Sequence, residues 1–279
     1  MVMTKILDIE NDGLNMAIDG SFLYIRCKRI MYKHHLTDMR IAAHNVVFKK
    51  DGKARSFSVC DHYLFLTDFC DLYLLRKDDL QVIEVIRLGA DASSDLGCVR
   101  FDAQKAYIGI RNGKMAVMDI RTRDTHKFDI IDSSFWDFCV VGNRIIAGTV
   151  RGELIEIDTR DVRVLRKVEL CKKNIYSVVP SGGLLYTVSQ DMTIKAVSAD
   201  TFETVCVAKK AVAGMAKILG VLDDRLIIAD TNQLSMWDRH TLQFYERFDF
   251  PTGAFNKGAL LCGNRLYGSD FQGIYSCTL

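Results

Sequence analysis

Apolar runs of five to seven residues, rich in Val, Ile, Leu, Tyr and Phe, recur along the whole chain. Polar or glycine-bearing turns interrupt them every eight to twelve positions, as at Arg111-Asn112-Gly113, Arg151-Gly152 and Gln190-Asp191. Amphipathic helices need apolar residues at three- and four-residue spacing over longer stretches. Short apolar runs between such turns instead predict strands joined as hairpins.

The pattern repeats. The segments DGSFLYI, CDHYLFL, DAQKAYI, VGNRIIA, SGGLLYT, DDRLIIA and CGNRLYG each place an apolar run after a turn. Their anchors are Leu23, Leu64, Ala106, Ile145, Leu185, Leu226 and Leu266, spaced by 41, 42, 39, 40, 41 and 40 residues. Each copy reads as four strands; in the fourth they fall near 137–142, 144–149, 153–158 and 163–169. Short meandering strands at this period predict an all-β, seven-bladed β-propeller with four-stranded antiparallel blades, in a single domain over 1–279. The last copy holds three strands, near 258–263, 265–269 and 273–278, while Met3 to Ile9 is a spare strand-like segment. That segment is expected to pair as the outer strand of the last blade and close the ring.

At this point the sequence resembles the WD-repeat family and its YVTN-type relatives. Ser189 to Thr201 reads SQDMTIKAVSADT, against a family pattern of S-x-D-x-T-I-K-V-W-D-x-x-T. Ser189, Asp191, Thr193, Ile194, Lys195 and Thr201 match, while Val197 and Ser198 replace the Trp-Asp pair. The sixth copy carries Trp237-Asp238 with Thr241; Met118-Asp119 with Thr122 and Ile157-Asp158 keep the aspartate. No Gly-His dipeptide opens a copy, so the family's internal His–Asp network is not expected. Trp237 and Asp238 are expected to serve folding: a half-buried ring and an aspartate bonding the next turn.

Composition narrows the function. The chain has 279 residues, 37 Lys and Arg against 35 Asp and Glu, and a net charge of +2. So near a balance, nucleic acid is not the expected partner. No apolar run approaches the roughly 20 residues of a membrane span, and the first residues lack the pattern of a signal peptide. Nine cysteines are scattered with no C-x-x-C pair. They are expected to be buried free thiols in a reducing, cytoplasmic setting. His34 and His35 are adjacent and point to opposite strand faces; the other histidines fall on turns or outer strands, where exposure is expected. Nucleophile-elbow, P-loop and dinucleotide motifs are missing, so no catalytic residue, metal or cofactor is implied.

The resemblance implies that loops entering each first strand share a face with the second-to-third-strand turns, around the channel mouth. Nine positions before the anchors stand Leu14, Arg55, Gly97, Trp136, Tyr176, Lys217 and Lys257. The turns add Arg111 and Arg151. Trp, Tyr and Arg are the residue types that most often anchor interfaces. The expected function is a non-catalytic, monomeric protein-interaction platform binding another protein through Trp136, Tyr176, Lys217, Lys257, Arg55, Arg111 and Arg151. The alternative is a lactonase- or lyase-like propeller enzyme, or a binder of a small anionic or sugar ligand on the same face. A competing expectation for Trp136 and Tyr176 is that they plug the space between blades.

Overall fold

The computed structural model describes residues 3–8, 15–48, 54–89, 95–230, 233–249, 258–269 and 273–279. Leu14 and Lys257 lie outside them, as does Ile9 at the end of the spare segment. Of Arg55 only the backbone is described.

Among the described residues, twenty-eight strands follow one another. They are β1 (Thr4–Asp8); β2 (Asn15–Asp19), β3 (Phe22–Cys27), β4 (Ile30–His35) and β5 (Ile41–Val46); β6 (Ala54–Val59), β7 (Tyr63–Asp68), β8 (Asp71–Arg76) and β9 (Val82–Arg87). Next come β10 (Leu96–Phe101), β11 (Lys105–Ile110), β12 (Lys114–Asp119) and β13 (Thr125–Asp129); β14 (Phe135–Val141), β15 (Arg144–Thr149), β16 (Glu153–Asp158) and β17 (Val164–Glu169). The rest are β18 (Ile175–Ser181), β19 (Leu184–Ser189), β20 (Ile194–Ser198) and β21 (Thr204–Ala208); β22 (Lys217–Leu222), β23 (Arg225–Ala229), β24 (Gln233–Asp238) and β25 (Phe244–Asp249); and β26 (Leu260–Cys262), β27 (Arg265–Ser269) and β28 (Gly273–Thr278). They form seven four-stranded sheets, six in simple sequence order and one in the order β1-β28-β27-β26. The fold is a seven-bladed β-propeller. As the sequence predicts, β1 completes the last blade: Thr4 pairs with Ser276 and Asp8 with Gly273, antiparallel.

Two compact units divide the chain, one of residues 1–99 and 250–279, the other of residues 100–249. In each, sheets pack face to face through apolar side chains. In the first, Tyr24 and Met31 of one blade meet Leu64, Leu66 and Leu75 of the next. In the second, Tyr186, Val188 and Ile194 meet Ile218, Leu226, Ile228 and Trp237. Strands β14 and β18 bury Cys139 and Val178 in a further layer. Alternation along each strand supplies the two packed faces.

A polar clasp repeats between neighbouring first strands. Ser56 Oγ accepts the Val99 N–H at 3.2 Å, Asp137 Oδ2 the Val178 N–H at 3.2 Å, and Ser177 Oγ the Ile218 N–H at 3.3 Å. Each bond ties a backbone donor of one first strand to a side chain of its neighbour.

The third-to-fourth-strand turns explain the aspartate and threonine of the family pattern. Asp238 Oδ1 accepts the N–H groups of His240 at 3.0 Å and Thr241 at 2.8 Å, and Thr241 Oγ1 accepts the Gln243 N–H at 3.3 Å. Asp119 does the same for Arg121 and Thr122, and Asp158 for Arg160. Arg160 grips the Asp158 carboxylate and holds its pKa down to about 2. Trp237 is buried and its indole N–H donates to Ser235 Oγ at 2.9 Å, the folding role expected of it. The residue that follows the threonine position carries no mark in the sequence pattern yet has a special backbone. Met39, Leu80, Arg123, Val162, Phe202 and Leu242 all adopt left-handed backbone, with φ of 53–67°. Each N–H bonds the carbonyl four residues back, as Leu242 does to Asp238 at 2.9 Å. Left-handed backbone costs a β-carbon residue about 1 kcal/mol or more. Burial of Leu80, Val162, Phe202 and Leu242 offsets it, at about 1.5–3 kcal/mol for a large apolar side chain.

Cysteine burial corrects one expectation in part, and the adjacent histidines point to opposite faces as expected. All nine cysteines are free, but only Cys70, Cys139, Cys171 and Cys277 are buried; Cys262 is exposed and the other four are half-buried. His35 is exposed, whereas His34 is 2% exposed, inside the blade rather than on its surface. The reason is strand alternation, which sends one of two adjacent side chains inward.

Candidate functional site

The site lies in the second unit, at the end of the sheets where each first strand begins. In β14, Phe135 pairs with Thr149 and Asp137 with Gly148, so Trp136 is the extra residue of a bulge. In β18, Ile175 pairs with Ser189 and Ser177 with Val188, so Tyr176 is the extra residue there. Arg55 occupies the same place in β6, between the Ala54–Asp68 and Ser56–Thr67 pairs. A bulge leaves one residue out of the ladder and re-aims its side chain. Three of the residues singled out by counting are therefore bulge residues of first strands.

Trp136 and Tyr176 meet edge to face, with ring centroids 5.4 Å apart and an interplanar angle of 63°. The Arg111 guanidinium, from the β11–β12 turn, lies 5.6 Å from the Trp136 ring centre, within cation–π range. Both rings are half-buried. Tyr176 rests on the apolar layer between β18–β21 and β22–β25, and this burial pushes its hydroxyl pKa up. The pair is neither a sealed plug nor a free surface: packing fixes the rings while part of each stays open to solvent.

Lys217 departs from the counted position. Its strand carries the bulge at Leu219, between the Ile218–Ile228 and Gly220–Ile227 pairs. Lys217 thus pairs with Ala229 and takes the register of Asp137 and Ser177, one step further into the blade than Trp136 and Tyr176. A residue count is blind to a bulge that moves. The Lys217 side chain reaches solvent yet has protein around it. Loss of hydration lowers its pKa; nearby Arg100 adds to that and Asp137 opposes it. Arg151 donates to Asp132 Oδ1 at 2.9 Å and to the Asp132 carbonyl at 3.3 Å, and this holds the Asp132 carboxyl below its usual range.

Several carboxylates stand at this end; Glu169, which ends β17, is exposed, while Asp132, Asp137 and Asp191 are engaged by protein. Asp132 holds Arg151; Asp137 accepts from Arg100 at 2.7 Å and from the Val178 N–H; Asp191 accepts from the Lys172 N–H and from Thr193 Oγ1 at 2.6 Å. Among the described residues, the ammonium groups of Lys172 and Lys173 form no ion pair, while Lys217 faces Asp137. Lys172 and Lys173, in the loop leading to Tyr176, are exposed. Two methionines at the same end are also exposed, Met192 at 46% and Met215 at 45%. None of these four is among the residues expected from the sequence. The Lys-Lys pair just before Tyr176 was a visible signal; the methionines stand in a turn and a small-residue loop where pattern alone does not separate surface from core.

Among the described residues, no three of His, Cys, Asp and Glu come together to hold a metal ion. The sequence matches no protein-family model and no curated protein. Solved structures do match. The β-propeller domain of Myceliophteria thermophila Cps50 (Swd1) superposes with a TM-score of 0.80 at 14% identity, over 98% of this chain and 99% of that one. The computationally designed protein Ika8 gives 0.70 at 10% identity, over 99% of each chain. At such identities the likeness is one of fold.

Proposed function

We propose that the protein is a non-catalytic interaction platform of the WD-repeat-like type, and that it binds another protein through the face carrying Trp136, Tyr176, Arg111 and Lys217. The observation that carries this reading is the paired bulges: two successive blades hold aromatic rings in contact, partly exposed, with a guanidinium beside them. Rigid aromatics flanked by cations are the composition of interface anchors. Likeness to a propeller domain at 14% identity supports the scaffold and leaves the face to be tested. A reducing, cytoplasmic location and a monomeric state belong to the same reading; the nine free thiols support the first.

The test is truncation of each ring. Trp136→Ala and Tyr176→Ala are expected to weaken capture of a partner by about thirtyfold each, the loss of roughly 2 kcal/mol typical of an interface anchor. Melting should stay near wild type, because both rings are partly exposed. A loss of about 3–5 kcal/mol in stability, as for a core aromatic, would return both residues to packing and remove the site.

A further inference from the structure

We infer that the partner presents an acidic, extended polypeptide segment with large apolar side chains, seated across the starts of β14, β18 and β22. This rests on the reading of that face as an interaction site and adds the chemistry of what it takes. The first observation is charge. Asp132, Asp137 and Asp191 are each engaged within the protein, Lys217 faces Asp137, and Glu169 is exposed, while Lys172 and Lys173 make no ion pair among the described residues. Lys172 and Lys173 before Tyr176, with Arg111 beside Trp136, therefore offer positive charge to an incoming chain although the whole molecule is near neutral. Complementary carboxylates would be steered in and held there.

The second observation is apolar exposure at the same end. Trp136 and Tyr176 are half-open, and Met192 and Met215 are nearly half-exposed on the β19–β20 turn and the loop before β22. Methionine is flexible and polarizable and adapts to varied apolar side chains. A small polyanion would use the lysines and leave these four idle; a purely apolar segment would leave the lysines unanswered. An acidic segment bearing Leu or Phe uses both. The backbone clasp of Asp137 and Ser177 keeps the first strands in register beneath, so the surface is rigid before binding.

Fluorescence provides the test, because the chain has two tryptophans and Trp237 is buried. Trp136 emission is titrated with three synthetic probes: a Glu-rich peptide with Leu and Phe, its Lys-for-Glu counterpart, and a single-stranded oligonucleotide of equal negative charge. The acidic peptide is expected to shift Trp136 emission, to lose the shift in Trp136→Phe, and to bind more weakly as salt rises. The double variant Lys172→Glu/Lys173→Glu, confined to exposed side chains, should weaken it by about tenfold or more through like-charge repulsion. If the basic peptide binds as tightly as the acidic one while still reporting on Trp136, the inference falls and the interaction face stands. Tighter binding of the oligonucleotide overturns the inference in favour of a phosphate backbone. If no probe reaches Trp136, the inference and the reading of the face both fall.

Discussion

His34 shows how one side chain couples this fold to pH. Its Nδ1 lies 2.8 Å from the Met39 carbonyl, which can only accept, so Nδ1 carries the proton of the neutral ring. Its Nε2 is buried and finds no partner among the described residues. Protonation would place a charged N–H there, and burial accordingly lowers the pKa below the ordinary 6.5. With the folded pKa below the unfolded one, the unfolded chain takes up the proton first as pH falls. The stability due to neutral His34 is complete above about 6.5, is lost as pH drops from there toward the lowered value, and then levels off. Melting temperatures at pH 7.5 and 5.5 should therefore fall less in His34→Gln than in wild type. Equal falls would place the acid sensitivity in other groups. A second residue-scale prediction concerns Leu242, buried at left-handed φ of 53°. Leu242→Ala keeps the backbone penalty and removes its compensation, so denaturant unfolding should show a loss of about 2–5 kcal/mol. A value below about 1 kcal/mol would mean that the turn, not the side chain, organises this site.

Among elements, β1 has the simplest consequence. It supplies the outer strand of the last blade and covers the edge of β28. Removing residues 1–8 uncovers a row of unpaired backbone groups next to the buried Ile274 and Cys277. The truncated chain should aggregate or melt well below wild type in scanning calorimetry, and an unchanged midpoint with a clean monomer peak would refute the closure role. The strands were the most legible part of the sequence. The fourth copy was read at 144–149 and 153–158, which are β15 and β16 as observed. Hairpin turns and apolar runs are local signals, and a 40-residue period lets each copy check the others. The bulges were not legible. Whether the extra residue falls at Trp136 or at Leu219 depends on pairing across the sheet, which is why the count placed Lys217 one step too far out.

For the whole molecule, the thiols give a graded readout of packing. Native labelling should modify Cys262 first and leave the buried Cys70, Cys139, Cys171 and Cys277 for denaturant. Cys139 should be slowest, since burial and then the Asp137 charge push its thiol up to about 12 and suppress the thiolate. Rapid native labelling of Cys139 would contradict the packed layer between β14–β17 and β18–β21.

The amino-acid sequence by itself determined the number of blades, the strands in each and the role of β1. Those follow from hydrophobic period and turn chemistry, which act over a few residues and repeat. It also brought Trp136, Tyr176 and Arg111 forward as candidates, because equivalent positions in successive copies become neighbours once copies stack as blades. Tertiary structure alone decided what those positions are worth. It engaged Arg151 with Asp132 and Arg100 with Asp137, left Lys172 and Lys173 open beside Tyr176, and exposed Met192 and Met215. Ion pairing and exposure depend on side chains far apart in the chain, and a distance through space is not encoded in any local pattern.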